Sequence, residues 1–144
     1  MKYELCIVSS AVGEDLARLF VRIGNAARGE PVSRIIGNMS RRIRRLLKEF
    51  KTNLNRIYGE QLKAVYLYGS YARGENVEGS DLDFVVVLKD FQRRAAEIRR
   101  TSELVGNLSL DYEITVSPLF LRENEWETNK FALLRNVKAE GVAL

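Results

Sequence analysis

Two carboxylates at the start of an apolar run are the side chains of this chain best placed to do chemistry. Asp81 and Asp83 are two residues apart, and residues 84–88 are apolar, which predicts a strand buried on both faces. Because side chains alternate along a strand, both carboxylates leave on the same face. Two like charges this close repel each other, and burial adds a cost unless a cation lies between them. The chain has no histidine, and oxygen ligands alone favour Mg²⁺ or Mn²⁺ over Zn²⁺.

The alternative is structural: the two aspartates are solvated and end the turn that precedes the strand. The residues upstream favour the chemical interpretation. Residues 64–68 predict a second buried strand, which runs into Gly69 and Ser70 and then into residues 71–75, a stretch compatible with a helical turn. Such a break exposes backbone N–H groups, which with the Ser70 hydroxyl form a site for an anion such as a phosphate. Arg73, one turn on, is either a further phosphate donor or an ordinary surface arginine.

Residues 69–88 resemble the signature of the DNA polymerase beta-like nucleotidyltransferase superfamily, and most of all that of its minimal nucleotidyltransferases. In that pattern a Gly-Ser pair is followed, after ten residues, by Asp-x-Asp and an apolar strand, and this chain meets it without insertion. The Ala-Arg-Gly triplet after the Gly-Ser pair and the serine before the first aspartate match as well. The matching residues are Gly69, Ser70, Ala72, Arg73, Gly74, Ser80, Asp81 and Asp83.

The resemblance implies a nucleotide site at the Gly-Ser turn and a metal site at the start of the strand that follows it. Asp81 and Asp83 are expected to be catalytic residues and ligands of two divalent ions, Mg²⁺ or Mn²⁺, which stabilise the entering and leaving oxygens of a phosphoryl transfer. The nucleotide is a nucleoside triphosphate, with ATP favoured. The residues expected to bind it are Gly69, Ser70, Arg73 and Ser80.

The family also implies a third carboxylate on a neighbouring strand, usually an aspartate. The candidates are Asp111 and Glu113, which lie next to a strand predicted over residues 113–121. We expect Glu113 to be the third catalytic and metal-binding residue, because it immediately precedes the apolar residues, and we place Asp111 at the junction between a helix and this strand. Glutamate is one methylene longer than aspartate, so a degenerate site that binds nucleotide without chemistry stays open.

The resemblance implies transfer of a nucleoside monophosphate, with AMP favoured, to a hydroxyl group. Minimal nucleotidyltransferases are often paired with a separate helical protein of the HEPN type, so we expect a protein acceptor and an antitoxin-like role in a toxin–antitoxin pair. One alternative is transfer to RNA or to a small molecule. Another, from a different functional class, is a non-catalytic interaction protein that keeps the nucleotide-binding fold.

Composition restricts the class of protein further. The 144 residues are 46% hydrophobic with two prolines, which suits a single compact domain. One cysteine, Cys6, excludes an internal disulfide and is expected to be a small buried apolar group in a reducing compartment. No apolar run reaches the roughly 20 residues that cross a membrane, so we expect a cytoplasmic protein. The absence of histidine excludes Ser-His hydrolases and histidine-dependent metal sites.

The periodicity along the chain predicts an α/β (α+β) fold with a small mixed β-sheet and helices mainly on one face. Residues 39–144 are assigned to the nucleotidyltransferase domain, and residues 1–38 to an N-terminal helical extension of unknown role, with a weak strand at its start and a helix over residues 14–27. An arm that makes a homo-oligomer is one alternative for this extension. Beyond the three strands above, helices are expected over residues 40–58, 91–108 and 129–140.

The predicted helix at residues 40–58 carries most of the basic excess. The chain has a formal net charge of +4, and residues 40–63 hold eight basic and two acidic side chains. This surface is expected to be either an electrostatic footprint for nucleic acid or another acidic partner, or simply the solvated side of a helix whose apolar stripe is buried. The second interpretation is favoured, because it follows from the amphipathic pattern alone.

Overall fold

The computed structural model describes residues 32–129 and 131–144. The expected strand at the start of the chain, the helix over residues 14–27 and the burial of Cys6 lie outside the described residues. The helices are α1 (Val32–Asn38), α2 (Arg41–Tyr58), α3 (Ser70–Arg73), α4 (Arg94–Asp111), α5 (Glu123–Glu127) and α6 (Ala132–Glu140). The strands are β1 (Leu62–Tyr68), β2 (Leu82–Leu88), β3 (Val116–Arg122) and β4 (Val142–Ala143).

The four strands form one mixed sheet in the order β3-β2-β1-β4. The central strand β2 runs antiparallel to β1 and parallel to β3, while the two-residue β4 runs antiparallel to β1. The start of β2 therefore lies beside the end of β1 and the start of β3. This corner of the sheet is where the sequence places its candidate chemistry, and the mixed sheet that the sequence predicts is confirmed.

Different helices pack on the two faces of the sheet. Alternate residues of β2, among them Leu82, Phe84 and Val86, belong to the larger core, which is closed by the long helices α2 and α4. The intervening residues Val85 and Val87 belong to a second cluster that the shorter helices α5 and α6 cover with Trp126, Leu134 and Val137. Both long helices thus pack on one face, as predicted, and β2 is buried on both faces along most of its length.

Helix α2 is amphipathic in the way its sequence predicts. Its buried residues are Ile43, Leu46, Leu47, Phe50, Leu54 and Tyr58, which recur at three-and-four spacing and face the sheet. The Ser40 hydroxyl accepts a hydrogen bond from the Ile43 amide at 3.2 Å and caps the first turn, and Gly59 ends the helix. The short helix α1 precedes it and packs Ile35 and Ile36 against the same core.

Several element boundaries differ from the sequence prediction, and two helices, α1 and α5, were missed. Helix α4 extends to Asp111, and the Ile114 amide still donates to the carbonyl of Ser109, so β3 begins at Val116 rather than at residue 113. Helix α1 lies between the helices predicted over residues 14–27 and 40–58, and α5 is a single turn that follows β3 directly. A five-residue helix is too short to carry a hydrophobic period, so only its cap could have indicated it.

Glu125 of α5 forms the cap that holds the end of β3. Its carboxylate accepts the Arg122 amide at 2.9 Å and also receives the guanidinium groups of Arg94 and Arg122. Burial alone would raise the pKa of Glu125, but the backbone hydrogen bond and the two arginines outweigh burial and lower it. The ionised carboxylate therefore stabilises the folded state above its unfolded pKa, and this contribution is lost as the pH falls through the folded pKa.

Replacing Glu125 with glutamine is expected to lower the free energy of unfolding by about 1–2 kcal/mol at neutral pH, because the amide keeps the shape of the side chain and removes its charge. Urea unfolding of both proteins between pH 7 and pH 3 checks this. The difference between wild type and Glu125→Gln should shrink as the pH falls below the ordinary pKa of a glutamate. A difference that is constant with pH would show that the carboxylate charge does not stabilise this corner.

Among the helices of residues 32–129 and 131–144, none combines the length and the apolarity that a bilayer crossing needs.

Candidate functional site

The Gly-Ser turn forms the corner at the end of β1. Gly69 has φ 74° and ψ −155°, a backbone conformation that is open almost only to glycine, and it begins the four-residue helix α3. A β-carbon at this position would lie 2.7 Å from Oδ2 of Asp83. The turn and the second aspartate of the predicted pair are therefore in direct apposition, as the resemblance implies, and only a residue without a side chain leaves that space open.

Asp81 and Asp83 lie at the start of β2. Asp81 is exposed just before the strand, and Asp83 is half-buried within it, on the face opposite Leu82 and Phe84. Burial raises the pKa of Asp83, and the negative charge of Asp81 raises it further. Within the described part of the chain, neither carboxylate has an ion-pair partner. The pair is thus a small concentration of negative charge, and no cation of residues 32–129 and 131–144 forms an ion pair that would relieve its repulsion.

Two residues that the sequence analysis did not single out lie beside Asp83. Tyr68 is its cross-strand partner on β1, and Ser117 is its register partner on β3. Residues in register on neighbouring strands share a face, so Tyr68, Asp83 and Ser117 form a row across the sheet. Burial and the charge of Asp83 raise the pKa of Tyr68, in agreement with this proximity. Only the pairing of β2 with β3 could reveal Ser117, and sequence periodicity does not fix that register.

Glu113 is not brought together with Asp81 and Asp83. It precedes β3 with φ 46°, its side chain is 82% exposed, and it pairs with Arg42 at 3.1 Å. The prediction that Glu113 stands next to the strand assumed a start at residue 113, and the longer helix α4 moves that start to Val116. Asp111, the other candidate, is exposed at the last residue of α4.

No three acidic, cysteine or histidine side chains of residues 32–129 and 131–144 are grouped so that they could hold a metal ion. The predicted three-carboxylate site is therefore reduced to the Asp81–Asp83 pair in this structure.

The Arg73 side chain contacts two carboxylates, those of Glu75 and Glu140. Its Nε donates to Glu75 at 2.6 Å, and its guanidinium lies 3.6 Å from Glu140 at the end of α6. The contact with Glu140 links α3 to the last helix of the domain, whereas Glu75 is only two residues further along the chain. The predicted phosphate contact of Arg73 requires that a nucleotide compete with Glu75 and Glu140, and it stays a prediction.

Ser80 completes the turn that leads into β2. Its hydroxyl accepts a hydrogen bond from the Val77 amide at 2.9 Å, and its own amide donates to the Val77 carbonyl at 3.0 Å. Its direct contact with a nucleotide also stays a prediction. Ser80 further lines a cavity of about 930 Å³ on the α2 side of the turn, together with Ser40, Arg42, Tyr71, Arg73 and Glu113. Three of the predicted site residues thus face this cavity, while Asp81 and Asp83 do not line it.

The basic residues of α2 form a stripe along its exposed side. Arg41, Arg44, Arg45 and Lys48 follow the i, i+3, i+4, i+7 spacing of one helix face and are exposed. Among the described residues no carboxylate forms an ion pair with any of the four, although Arg44 donates to the carbonyl of Gly37 at 3.1 Å. The stripe lies opposite the buried face of α2, which is the placement that the amphipathic pattern predicts.

The residues at the carboxylate pair fit a hard divalent cation. The donors are carboxylate oxygens, the pair has no ion-pair partner among the described residues, and Gly69 leaves open the space that a β-carbon would fill. Ser117 adds a neutral oxygen in the same row. The pair does not supply a full set of anionic ligands. It therefore differs from a metal site whose ligands all come from the protein.

A family model described as a nucleotidyltransferase domain matches residues 43–139. Two proteins of Methanocaldococcus jannaschii, both named as candidate protein adenylyltransferases, are similar to this chain. One is 32% identical over 97 residues, which are 67% of this chain and 93% of the relative. The other is 32% identical over 101 residues, 68% of this chain and 93% of the relative.

Two solved structures also match. A toxin–antitoxin structure with AMP-PNP is 24% identical, covers 65% of this chain and 68% of its own, and has a TM-score of 0.47. A structure of a candidate nucleotidyltransferase from Sulfolobus solfataricus is 20% identical, covers 80% of this chain and 86% of its own, and has a TM-score of 0.46.

Proposed function

The chain belongs to the nucleotidyltransferase domain family, and we propose that it transfers AMP from ATP to a hydroxyl group of a partner protein. The observation that carries the proposal is the pair Asp81 and Asp83, which has no ion-pair partner in the part of the chain that the structure describes and of which Asp83 lies directly against the Gly69 turn. Both M. jannaschii relatives are named for transfer of an adenylyl group to protein, which supports the nucleotide and the class of acceptor.

The proposed reaction is an in-line substitution at the α-phosphorus of the nucleotide. The acceptor oxygen forms a bond to phosphorus, the bond between the α-phosphorus and the bridging oxygen breaks, and pyrophosphate leaves with the electron pair. The acceptor loses its proton to solvent, since the described residues offer no histidine as a base. Such chemistry depends mainly on positioning and on stabilisation of charge, so it needs few reactive side chains.

Each residue of the corner has a proposed task. The Ser70 hydroxyl and the backbone amides that open α3 bind phosphate oxygens, and Gly69 allows them to approach. Asp81 and Asp83 hold the divalent ions. When bound there, Mg²⁺ or Mn²⁺ would balance the charge of the phosphates and stabilise the oxygens of the attacking and leaving groups. Tyr68 closes one side of Asp83 and limits the access of water.

We further propose that the acceptor is a helical protein of the HEPN type and that this chain is the antitoxin of such a pair. The support is the resemblance of residues 69–88 to minimal nucleotidyltransferases, which often act in this way. A cytoplasmic location, where the reducing environment suits a chain with one cysteine, belongs to the same proposal.

The proposal is tested by incubating the protein with each α-³²P-labelled nucleoside triphosphate and Mg²⁺ or Mn²⁺, with and without the product of the neighbouring gene. We expect label from ATP on the neighbouring protein, with release of pyrophosphate, for wild type and not for Asp81→Asn. Label on neither protein, alongside clear binding of ATP, would favour the non-catalytic nucleotide-binding protein instead.

Transfer to RNA is the second candidate, because the exposed stripe of Arg41, Arg44, Arg45 and Lys48 has the charge that a phosphate backbone needs. The same assay distinguishes it. Labelled RNA, in an amount that falls steeply as salt rises, would replace the protein acceptor with a nucleic acid.

A further inference from the structure

In the row of Tyr68, Asp83 and Ser117 across the sheet, Ser117 is neutral at a position where a carboxylate would complete a metal site. Ser117 is the register partner of Asp83 on the parallel strand β3, and it is exposed. Neighbouring strands are about 4.8 Å apart, so a side chain at position 117 can reach a cation that Asp83 binds. Its hydroxyl can contribute one neutral oxygen and no charge.

The nearest candidate for a third charge is engaged elsewhere. Glu113 lies on the side of the turn that faces the cavity, where Arg42 pairs with it at 3.1 Å, and its side chain is largely exposed. Asp111 ends α4 and is exposed as well. In the part of the chain that the structure describes, Asp81 and Asp83 therefore have no third acidic neighbour with which to share a metal ion.

We infer that this chain has a two-carboxylate metal site, completed by the Ser117 hydroxyl and by the phosphates of the nucleotide, so that metal ion and nucleotide bind only weakly apart and tightly together. This inference rests on the proposed function, since it concerns the same site. The new element is the control of the site's occupancy by the nucleotide, which the proposed function does not include. The protein does not retain its metal between turnovers, and the triphosphate brings the missing anionic ligands.

The charges of the ligands give this coupling its physical basis. A divalent cation held by protein oxygens gains affinity with each added carboxylate, and Mg²⁺ in particular is held by one or two carboxylates together with substrate phosphates. With two carboxylates and one hydroxyl, most positions around the ion are left to water or to ligand. A triphosphate that replaces those waters adds negative charge at contact distance, and by linkage the ion raises the affinity for the triphosphate by the same factor.

The test is a titration with Mn²⁺, followed by electron paramagnetic resonance of the free ion, with and without a non-hydrolysable ATP analogue. For wild type we expect the analogue to raise the affinity of the protein for Mn²⁺ by at least about 10-fold. The Mn²⁺ that the analogue binds on its own is measured without protein and subtracted. Ser117→Asp supplies a third carboxylate in the row, so it is expected to tighten binding in the absence of nucleotide by about 10-fold or more. The matched control Ser117→Asn has the same shape without the charge and should leave that binding weak.

Two further variants separate the possible failures. Glu113→Gln should leave Mn²⁺ binding unchanged, and a loss of binding in this variant would overturn the inference by making Glu113 a ligand. Tight binding by wild type without nucleotide, unaltered in Ser117→Asp, would overturn it as well. If Asp83→Asn has no effect on Mn²⁺ binding in any condition, the ion is not at the carboxylate pair, and the proposed function fails together with the inference. Thermal unfolding of each variant confirms that the fold is kept.

Discussion

Replacing Asp83 with asparagine is expected to lower the rate of nucleotidyl transfer by at least about 100- to 1,000-fold, since the change removes a charge that positions the cation at the reacting phosphate. The same variant is expected to be more stable than wild type. Burial and the charge of Asp81 raise the pKa of Asp83, so its ionised form destabilises the folded state at neutral pH. Asparagine removes that repulsion, and after screening by solvent the gain is a few tenths to about 1 kcal/mol.

The two effects are measured on one protein preparation, by the transfer assay with labelled ATP and by urea unfolding in the absence of metal. Asp111→Asn is the matched control, because Asp111 is exposed at the end of α4 and, within the described residues, is not grouped with Asp81 and Asp83 into a metal site. It should change neither quantity. An Asp83→Asn protein that still transfers AMP, or that unfolds more easily than wild type, would contradict the assignment of a strained, functional carboxylate.

Replacing Gly69 with alanine is expected to abolish transfer and to destabilise the protein by about 2–3 kcal/mol. Two causes add: the backbone at φ 74° and ψ −155° is nearly closed to other residues, and the new methyl group would lie 2.7 Å from Oδ2 of Asp83. To relieve that contact, either the turn must leave its conformation or the Asp83 carboxylate must turn away. In both cases the phosphate site and the metal site lose the relative position that the reaction needs.

Gly74→Ala is the control for the backbone contribution. Gly74 ends α3 in the left-handed conformation at φ 70° and ψ 22°, and a β-carbon there would meet nothing within 4 Å. Alanine at that position should cost about 1 kcal/mol of stability and leave most of the transfer activity. Equal loss of activity in the two variants would mean that the position of the turn, rather than its contact with Asp83, limits the reaction.

Local patterns predicted most of the fold here. The apolar stripe of α2, the start of that helix near residue 40 and the continuous apolar run of β2 each depend on residues close in sequence, and the structure agrees at those elements almost residue for residue. The boundaries that were wrong lie at the end of α4 and the start of β3. There the Ile114 amide donates to the Ser109 carbonyl and continues the turns of the helix past Asp111. No hydrophobic periodicity in the sequence indicates this extension.

The candidate site divides in the same way. Gly69, Ser70, Asp81 and Asp83 could be found because a turn and a strand impose their spacing on the sequence. The neighbour of Asp83 on β3 could not, because the register between two parallel strands joined by a long helix is set by packing across the whole sheet. Glu113 was the best candidate by distance along the chain, but Ser117 is the one that shares a face with Asp83.

The outer strands of the sheet have a consequence for assembly. In the described part of the chain, β3 and β4 form the two edges; β4 has two residues, and β3 contains Pro118, which has no amide proton to offer an incoming strand. Short edges and proline are the means by which sheets avoid edge-to-edge aggregation. In this part of the chain an incoming strand therefore finds little free backbone to pair with. The partner proposed above would be recognised there through side chains on helices and turns, so its specificity could change by surface substitution while the sheet stays constant.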